Sequence, residues 1–221
     1  GKVKWLLNGG GRFYKIGDFK EVEEDGSKHW AFLPDAEYGT MDNTGDSEKM
    51  NFGKDSYATM RYYIDHDFGT AANPTPKDIT VINWMNTWDY CTRVGETVGQ
   101  EFNGTYNLTL NLGLTKNEEG KYILTQTPIQ QYEALRDTAK KTEFKDVNVT
   151  ESNDLPKDFK GSSYEIVSTF RPGADTKKVG FKLRTGKKEE TLVTYDLEKE
   201  LLSIDRSRSG IIIPGSFAQV D

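Results

Sequence analysis

Two tryptophans four positions apart stand out in the stretch 82–90, where amide and carboxylate side chains surround them. The flat face of an indole stacks on the C–H face of a sugar ring, and the hydroxyls of the sugar need polar partners such as Asn and Asp. Trp84 and Trp88 therefore indicate a carbohydrate-binding surface. The same pattern also fits a strand end at which both rings are half-buried core. From this stretch alone, both interpretations stay open.

A second polar and aromatic stretch lies upstream of the first and has the sequence Asn51-Phe52-Gly53-Lys54-Asp55-Ser56-Tyr57-Ala58. In this order and spacing, the two stretches resemble glycoside hydrolase family 32, the levanases, inulinases and invertases that cleave β-fructofuranosides. That family typically carries a D-Y-G-K-D-F-Y-A-type segment and then a W-M-x-x-W-x-Y-type segment on the next propeller strand. Other stretches match family patterns in the same order, and they are 10–19, 122–129, 182–186 and 205–210.

The resemblance implies an all-β fold in two parts. Residues 1–139 would form the last blades of a five-bladed β-propeller and end in a short linker helix. Residues 140–221 would form part of the β-sandwich that packs against the propeller. The remainder of the same protein, including the upstream propeller blades, would then be a partner of this chain.

The hydrophobic pattern also favours β-structure along most of the chain. Apolar and polar residues alternate from Tyr106 to Leu114, which predicts a strand with one buried face. A hairpin is predicted around 185–188, and a further strand at 164–170. We expect one helix, from just after Pro128 to about Lys141, and a long irregular loop over residues 20–50.

The resemblance implies that the catalytic acids lie outside this chain. The family uses an Asp in W-M-N-D-P-N-G, an Asp in R-D-P and a Glu in E-C. Three stretches of this chain begin like these motifs but do not complete them. Trp84-Met85-Asn86 is followed by Thr87-Trp88 and not by Asp-Pro-Asn-Gly. Arg136-Asp137 is followed by Thr138 and not by Pro, and Cys91 is preceded by Tyr90 and not by Glu. We expect no catalytic residue here, so the parent protein would be the glycoside hydrolase and this chain alone would be inactive.

The role left to this chain is binding a fructose-containing oligo- or polysaccharide. By position in the family pattern, Trp84 and Trp88 would offer stacking surface. Lys54 and Asp55 would bind hydroxyls or steady the acid/base, and Tyr57 would line the wall. An exposed Lys54–Asp55 ion pair, worth little to stability, and a core Tyr57 remain the alternatives.

Asn51 is the sixth candidate, and it departs from the family. An Asp usually stands there and is implicated in holding the leaving-group sugar. The amide of Asn51 keeps the capacity for hydrogen bonds but carries no charge, which puts the preference of that subsite in doubt.

Composition limits the other functions. The net charge of −6 comes without a basic stripe, so nucleic acid is not an expected partner. The apolar runs are too short for a membrane span, and the two histidines and single cysteine lack the spacing of a zinc site, so we expect no metal and no cofactor. The resemblance implies a secreted, periplasmic or cell-surface protein of a bacterium. A non-catalytic carbohydrate-binding β-protein and a purely structural β-domain remain as alternatives.

Overall fold

The computed structural model describes residues 3–10, 12–42, 44–62, 69–75, 79–152, 155 and 159–218. Within these ranges the chain forms antiparallel sheets, with short 3-10 turns and a single α-helix between the strands. The prediction of an all-β chain is therefore confirmed. The α-helix, α1, covers Val94–Val98, and no helix among the described residues is long and apolar enough to cross a membrane.

The first sheet contains a long hairpin. Its strands are β1 Trp5–Gly9, β2 Phe13–Glu24, β3 Ser27–Pro34 and the short β4 Glu48–Lys49, which pairs with the start of β2. Asp25 and Gly26 close the β2–β3 turn with φ of 50° and 76°. Asp-Gly favours this positive-φ backbone in two-residue hairpins. The prediction of an irregular loop over residues 20–50 is wrong for this hairpin.

The second sheet has β6 at its centre. Its strands are β5 Tyr57–Arg61, β6 Ile79–Met85, β7 Thr105–Tyr106, β8 Leu110–Lys116 and β9 Tyr122–Pro128, with β7 and β8 both pairing with β6. The alternation from Tyr106 to Leu114 is thus divided between two strands. Asn107 lies in the gap, where its Oδ1 accepts a 2.8 Å hydrogen bond from the backbone N–H of Asn83.

The buried core lies between these two sheets. Its fully buried members are Tyr14, Ile16, Tyr38 and Met50, against which Leu6, Leu112, Tyr122 and Leu124 pack. The Tyr38 hydroxyl donates to the carbonyl of Tyr122 at 2.6 Å, and the Tyr14 hydroxyl accepts from the N–H of Leu124 at 3.1 Å. These bonds satisfy the polar ends of the buried rings and fix the first sheet against the second.

The third sheet is a meander of three strands in the C-terminal part. They are β10 Lys178–Leu183, β11 Glu190–Asp196 and β12 Leu201–Arg208. The hairpin predicted around 185–188 is confirmed, and its turn is closed by a 2.8 Å hydrogen bond from the N–H of Gly186 to the carbonyl of Glu189.

Two other sequence predictions are wrong between the second and third sheets. The expected helix is replaced by separate 3-10 turns, Gln130–Leu135 and Thr138–Lys140, because Arg136 between them is extended. Neither turn buries a residue, and a short helix without packing is marginal in water. The strand expected at 164–170 is an irregular stretch that pairs with no described strand.

Candidate functional site

Tyr57 and Trp84 occupy directly paired positions on β5 and β6. Side chains at such positions project from the same face of a sheet. Beyond this pair the register shifts, and Ala58 and Thr59 together oppose the single residue Asn83. Ala58 has a φ of 53°, so the irregularity is a β-bulge with a left-handed residue. Bulges of this kind change the direction of side chains next to functional sites.

Trp88 folds back over this pair from the turn after β6. Its ring centroid lies 5.4 Å from that of Trp84 and 6.4 Å from that of Tyr57, both in edge-to-face geometry. Trp88 is 73% exposed and Trp84 is half-buried. The three rings therefore form an aromatic surface open to solvent, and Trp88 is not a core residue.

A cleft of about 330 Å³ opens at this aromatic surface, and its lining residues are Tyr57, Ala58, Trp84, Trp88, Cys91, Thr92 and Asn103. The exposed surface of the cleft is almost entirely apolar, and the Oδ1 of Asn103 already accepts a hydrogen bond from the N–H of Gly95 at 2.7 Å. Such a surface suits stacking by the apolar face of a ligand, with Thr92 and Asn103 as the polar residues of the wall.

Gly104 gives Trp84 its place in the cleft. A Cβ at Gly104 would lie 2.7 Å from Nε1 of Trp84 and 2.9 Å from Nδ2 of Asn86, and φ there is +78°. Any side chain at this position would therefore collide with the indole and strain the backbone. The Nδ2 of Asn86 is itself buried and has no hydrogen-bond partner among the described residues.

Asp55, next to the cleft, is engaged by the third sheet. Its Oδ1 accepts from the hydroxyl of Tyr90, and its Oδ2 pairs with Nη1 of Arg206 on β12. Nη2 of Arg206 also donates to the Tyr90 hydroxyl at 2.6 Å. Burial raises the pKa of Tyr90, and the hydrogen bond to Asp55 adds to the rise. Burial acts to lower the pKa of Arg206, but Asp55 outweighs it and holds that pKa above its usual value.

The C-terminal 3-10 turn, Ser216–Ala218, makes a second set of contacts with the same region. The backbone N–H of Ser216 donates to Oδ2 of Asp89 at 2.6 Å, and its carbonyl accepts from Nζ of Lys54 at 2.9 Å. Hydrogen bonds from Ser216 lower the pKa of Asp89. Asp89 and Lys54 thus bring both loops beside the cleft into contact with one short turn.

The structure brings together three of the six predicted site residues, since Tyr57, Trp84 and Trp88 all line the cleft. Lys54 and Asp55 lie beside it, bonded to the C-terminal part as described above. Asn51 is not among the lining residues, and its Nδ2 is buried without a hydrogen-bond partner among the described residues.

Several residues at the site had not been expected from the sequence. Cys91 directly follows the aromatic stretch, so its place in the cleft wall could have been inferred. Thr92 and Asn103 carried no comparable signal, and Gly104 could only have been suspected because glycine tolerates positive φ. Arg206 is remote in sequence, and nothing in its own segment pointed to Asp55.

Comparison with known proteins gives the family. Residues 131–220 match the model for the C-terminal region of glycosyl hydrolases family 32. A fructan beta-fructosidase of Streptococcus mutans is 57% identical over 222 aligned residues, which cover all of this chain and 15% of that protein. The chain belongs to glycoside hydrolase family 32.

Two levanases with lower identity are similar over most of the chain. A levanase of Bacillus subtilis is 29% identical over 72% of the chain, and a levanbiose-producing levanase of the same organism is 26% identical over 71%. The aligned regions make up 22% and 28% of those proteins. The chain thus spans less than a third of the length of each of these relatives.

Proposed function

We propose that this chain supplies part of the substrate pocket of a glycoside hydrolase that cleaves β-fructofuranosidic bonds in levan, inulin or sucrose. The observation that carries the proposal is the open cleft between Tyr57, Trp84 and Trp88. These rings come from the two stretches that match family motifs, and the relatives include a fructan beta-fructosidase and levanases.

The aromatic residues would hold a furanose ring. Trp88 presents most of its surface to solvent, so a sugar can stack on it without any rearrangement of the core. Trp84 would provide a second surface inclined at 65° to that of Trp88, and Tyr57 would close one wall. Thr92 and Asn103 would bind hydroxyls at the rim.

Lys54, Asp55 and Asn51 would contribute polar contacts. Each carboxylate oxygen has two lone pairs, so Asp55 keeps acceptor capacity beyond Tyr90 and Arg206. The unpartnered Nδ2 of Asn51 is a donor whose burial costs about 1–3 kcal/mol until an acceptor is supplied. Because this atom is buried and Asn51 does not line the cleft, a role for Asn51 in holding the leaving-group sugar is supported only by its place in the family pattern.

The reaction would be a retaining double displacement by the parent protein. In such a mechanism one carboxylate attacks the anomeric carbon while a second, protonated carboxyl assists the leaving oxygen, and the two stand about 5–5.5 Å apart. Neither carboxyl would come from this chain, which lacks the motifs that carry them. Its own residues would bind the substrate and orient the scissile bond.

The same proposal includes the domain organisation. Residues 1–139 would be the last blades of a β-propeller, and residues 140–221 part of a β-sandwich. The antiparallel sheets and the C-terminal family match over residues 131–220 support this division. The much greater length of the fructan beta-fructosidase, of which this chain matches 15%, further supports a partner. The partner would be the remainder of the same protein, with its upstream blades.

A secreted, periplasmic or cell-surface location in a bacterium belongs to the proposal as well. The relatives reported above are bacterial proteins. Fructan polymers are too large to enter a cell intact, so an enzyme that cleaves them has to meet them outside the cytoplasm.

A non-catalytic carbohydrate-binding protein is a second candidate. The observation in its favour is that an amide, Asn51, stands where the family usually has an acid. Both candidates require sugar binding in the cleft, and only the first requires hydrolysis by the full-length protein.

Calorimetric titration of the full-length protein with levan oligosaccharides tests the binding site. We expect Trp88→Ala to weaken the affinity at least about tenfold, because the main stacking surface is removed. Trp30 on β3 is the matched control, since it is 46% exposed but lies outside the cleft. Equal affinities of Trp88→Ala, Trp30→Ala and the unchanged protein would rule out this cleft as the binding surface.

Hydrolysis assays separate the two candidates. We expect the full-length protein to release reducing sugar from levan, inulin or sucrose, and the 221-residue chain alone to release none. Retained binding without any hydrolysis by the full-length protein would favour the second candidate. Turnover by the isolated chain that disappears on Asp55→Asn would contradict the assignment of the catalytic acids to other parts of the protein.

A further inference from the structure

Both loops that flank the cleft are held by the third sheet and the turn that follows it. Asp55 lies two residues before Tyr57 at the start of β5, and Tyr90 lies two residues after Trp88 in the turn beyond β6. The Asp55 carboxylate and the Tyr90 hydroxyl both bond to one side chain, Arg206 of β12. The two walls of the cleft therefore share an attachment point that belongs to neither of them.

Arg206 uses its whole guanidinium group for these contacts. Nη1 pairs with Asp55, Nη2 donates to Tyr90 at 2.6 Å, and Nε donates to the carbonyl of Phe217 at 2.5 Å. The guanidinium carbon lies 4.0 Å from the centre of the Phe217 ring, and the side chain is only 19% exposed. Only a planar, forked cation can satisfy three such acceptors together, so lysine cannot replace arginine here without loss.

We propose that Arg206 is a positioning residue for the carbohydrate cleft. Through Asp55 it fixes the start of β5 and hence Tyr57, and through Tyr90 it fixes the turn that carries Trp88. The separation of these two rings, 6.4 Å between centroids, then depends on a side chain from the C-terminal sheet. The identity of the ligand in this cleft rests on the function proposed above, whereas the positioning itself does not.

The other contacts described between the C-terminal part and these loops come from the turn Ser216–Ala218 and not from β12. Lys54 donates to the carbonyl of Ser216, and the exposed Asp89 accepts from the same residue. The ring of Tyr90 also packs edge-on against that of Phe217. Without Arg206, Tyr90 would keep its bond to Asp55, but the pair would lose its attachment to β12. The loops would then be free to shift relative to one another while each stays attached to its own strand.

Cys91 provides a direct readout of cleft geometry that needs no ligand. It is the only cysteine of the chain, it lines the cleft, and it is 7% exposed. Its thiol follows Tyr90 in the sequence, so loosening of Tyr90 should expose it. The rate at which a thiol reagent modifies the Cys91 peptide, followed by mass spectrometry, measures that exposure.

The test compares Arg206→Ala and Arg206→Lys with Arg208→Ala in the full-length protein. Arg208 lies on the same strand and pairs with Glu190 inside the third sheet, so its removal perturbs the sheet but not the cleft. We expect Arg206→Ala to raise the Cys91 modification rate and to weaken levan-oligosaccharide affinity, each at least about fivefold. Arg206→Lys should fall between Arg206→Ala and the unchanged protein, and Arg208→Ala should change neither quantity.

Unchanged modification of Cys91 in both Arg206 variants would overturn the proposal. Equal changes in the Arg206 and Arg208 variants would also overturn it, since they would indicate a general loss of stability. If Arg206→Ala does not fold, Arg206→Lys provides the test, and we expect smaller changes in the same direction in its Cys91 modification rate and its levan-oligosaccharide affinity. Faster Cys91 modification in a protein that binds no fructan would support the positioning role and refute the proposed function.

Discussion

Two aromatic clusters of this chain contain similar side chains but have opposite environments. One consists of Tyr14, Tyr38 and Tyr122 between the first two sheets, and the other of Tyr57, Trp84 and Trp88 at the cleft. Tyr38 is fully buried and Trp88 is 73% exposed. The presence of an aromatic residue in the sequence is therefore not enough to assign its ring to a core or to a binding surface.

The backbone around each cluster accounts for the difference. Tyr14 lies in a regular ladder, and the hydroxyls of Tyr14 and Tyr38 bond to the backbone of β9. Tyr57 lies beside the bulge at Ala58, and Trp88 lies in a turn. The core cluster thus combines two rings on paired strands with Tyr38 from a 3-10 turn between the sheets, whereas the cleft has rings from a bulge and from an exposed turn.

Removing the ring of Tyr38 should have the greatest effect on stability. We expect Tyr38→Ala to lower the free energy of unfolding by about 4 kcal/mol, because it leaves a cavity in a fully buried site. Trp88→Ala should change it by less than about 0.5 kcal/mol, as is usual for exposed positions. Urea unfolding of both variants measures the contrast, and similar losses in the two would mean that Trp88 is also part of the core.

The partly buried ion cluster of Lys4, Asp18 and Asp35 should come next. Nζ of Lys4 lies 2.8 Å from Asp18 and 2.5 Å from Asp35, and the lysine side chain is only 4% exposed. We expect Lys4→Met to lower the free energy of unfolding by about 2 kcal/mol, because two partly buried carboxylates lose their cation. Lys28→Met is the control, since its ion pair with Glu21 is exposed and should contribute less than about 0.5 kcal/mol.

The pH dependence of Lys4 has a defined sign. Burial acts to lower its pKa, but the hydrogen bonds to Asp18 and Asp35 prevail and raise it above 10.5. Because the pKa is raised in the folded state, the stabilising contribution of the Lys4 ion cluster is complete below pH 10.5. It is lost as the pH rises further. The unchanged protein should therefore lose more stability than Lys4→Met in strong alkali. Equal losses of unfolding free energy in the unchanged protein and in Lys4→Met would contradict this pH dependence.

The bulge at the cleft should give the smallest effect. Ala58 has a left-handed backbone that glycine adopts without strain, so Ala58→Gly should raise the free energy of unfolding by about 1 kcal/mol. Ala31 is the matched control because it lies in the regular strand β3. Ala31→Gly should lower the free energy of unfolding by about 0.5–1 kcal/mol. Thermal unfolding measures both variants. Changes in stability of opposite sign at the two positions would support a left-handed backbone at Ala58, and a loss of stability at both would contradict it.

Local pattern was sufficient to predict much of the β-structure. The alternation around Phe181 and Val193 predicted β10 and β11, because such a pattern allows one face of a hairpin to be buried. The Asp25-Gly26 turn was an equally good signal for the β2–β3 hairpin, but the acidic composition around it suggested a loop. The expected helix near Arg136 failed because helix propensity needs a buried face to support it.

The candidate site was less accessible to sequence reasoning. Trp84 and Trp88 were identified from their spacing, and Tyr57 from a resemblance. The contact between Asp55 and Arg206 joins residues far apart in the chain, and no local pattern encodes such a pairing. Asn103 reaches the cleft only because the chain returns beside β6, which depends on the tertiary fold.

Protection of Cys91 by a fructan tests most directly whether the cleft binds sugar. Because Cys91 lines the cleft beside Trp84 and Trp88, a bound levan oligosaccharide should shield its thiol from a modifying reagent. We expect the modification rate in the full-length protein to fall with levan concentration and to be unaffected by dextran. A rate that levan leaves unchanged, at concentrations that saturate binding, would contradict the assignment of this cleft as the sugar site.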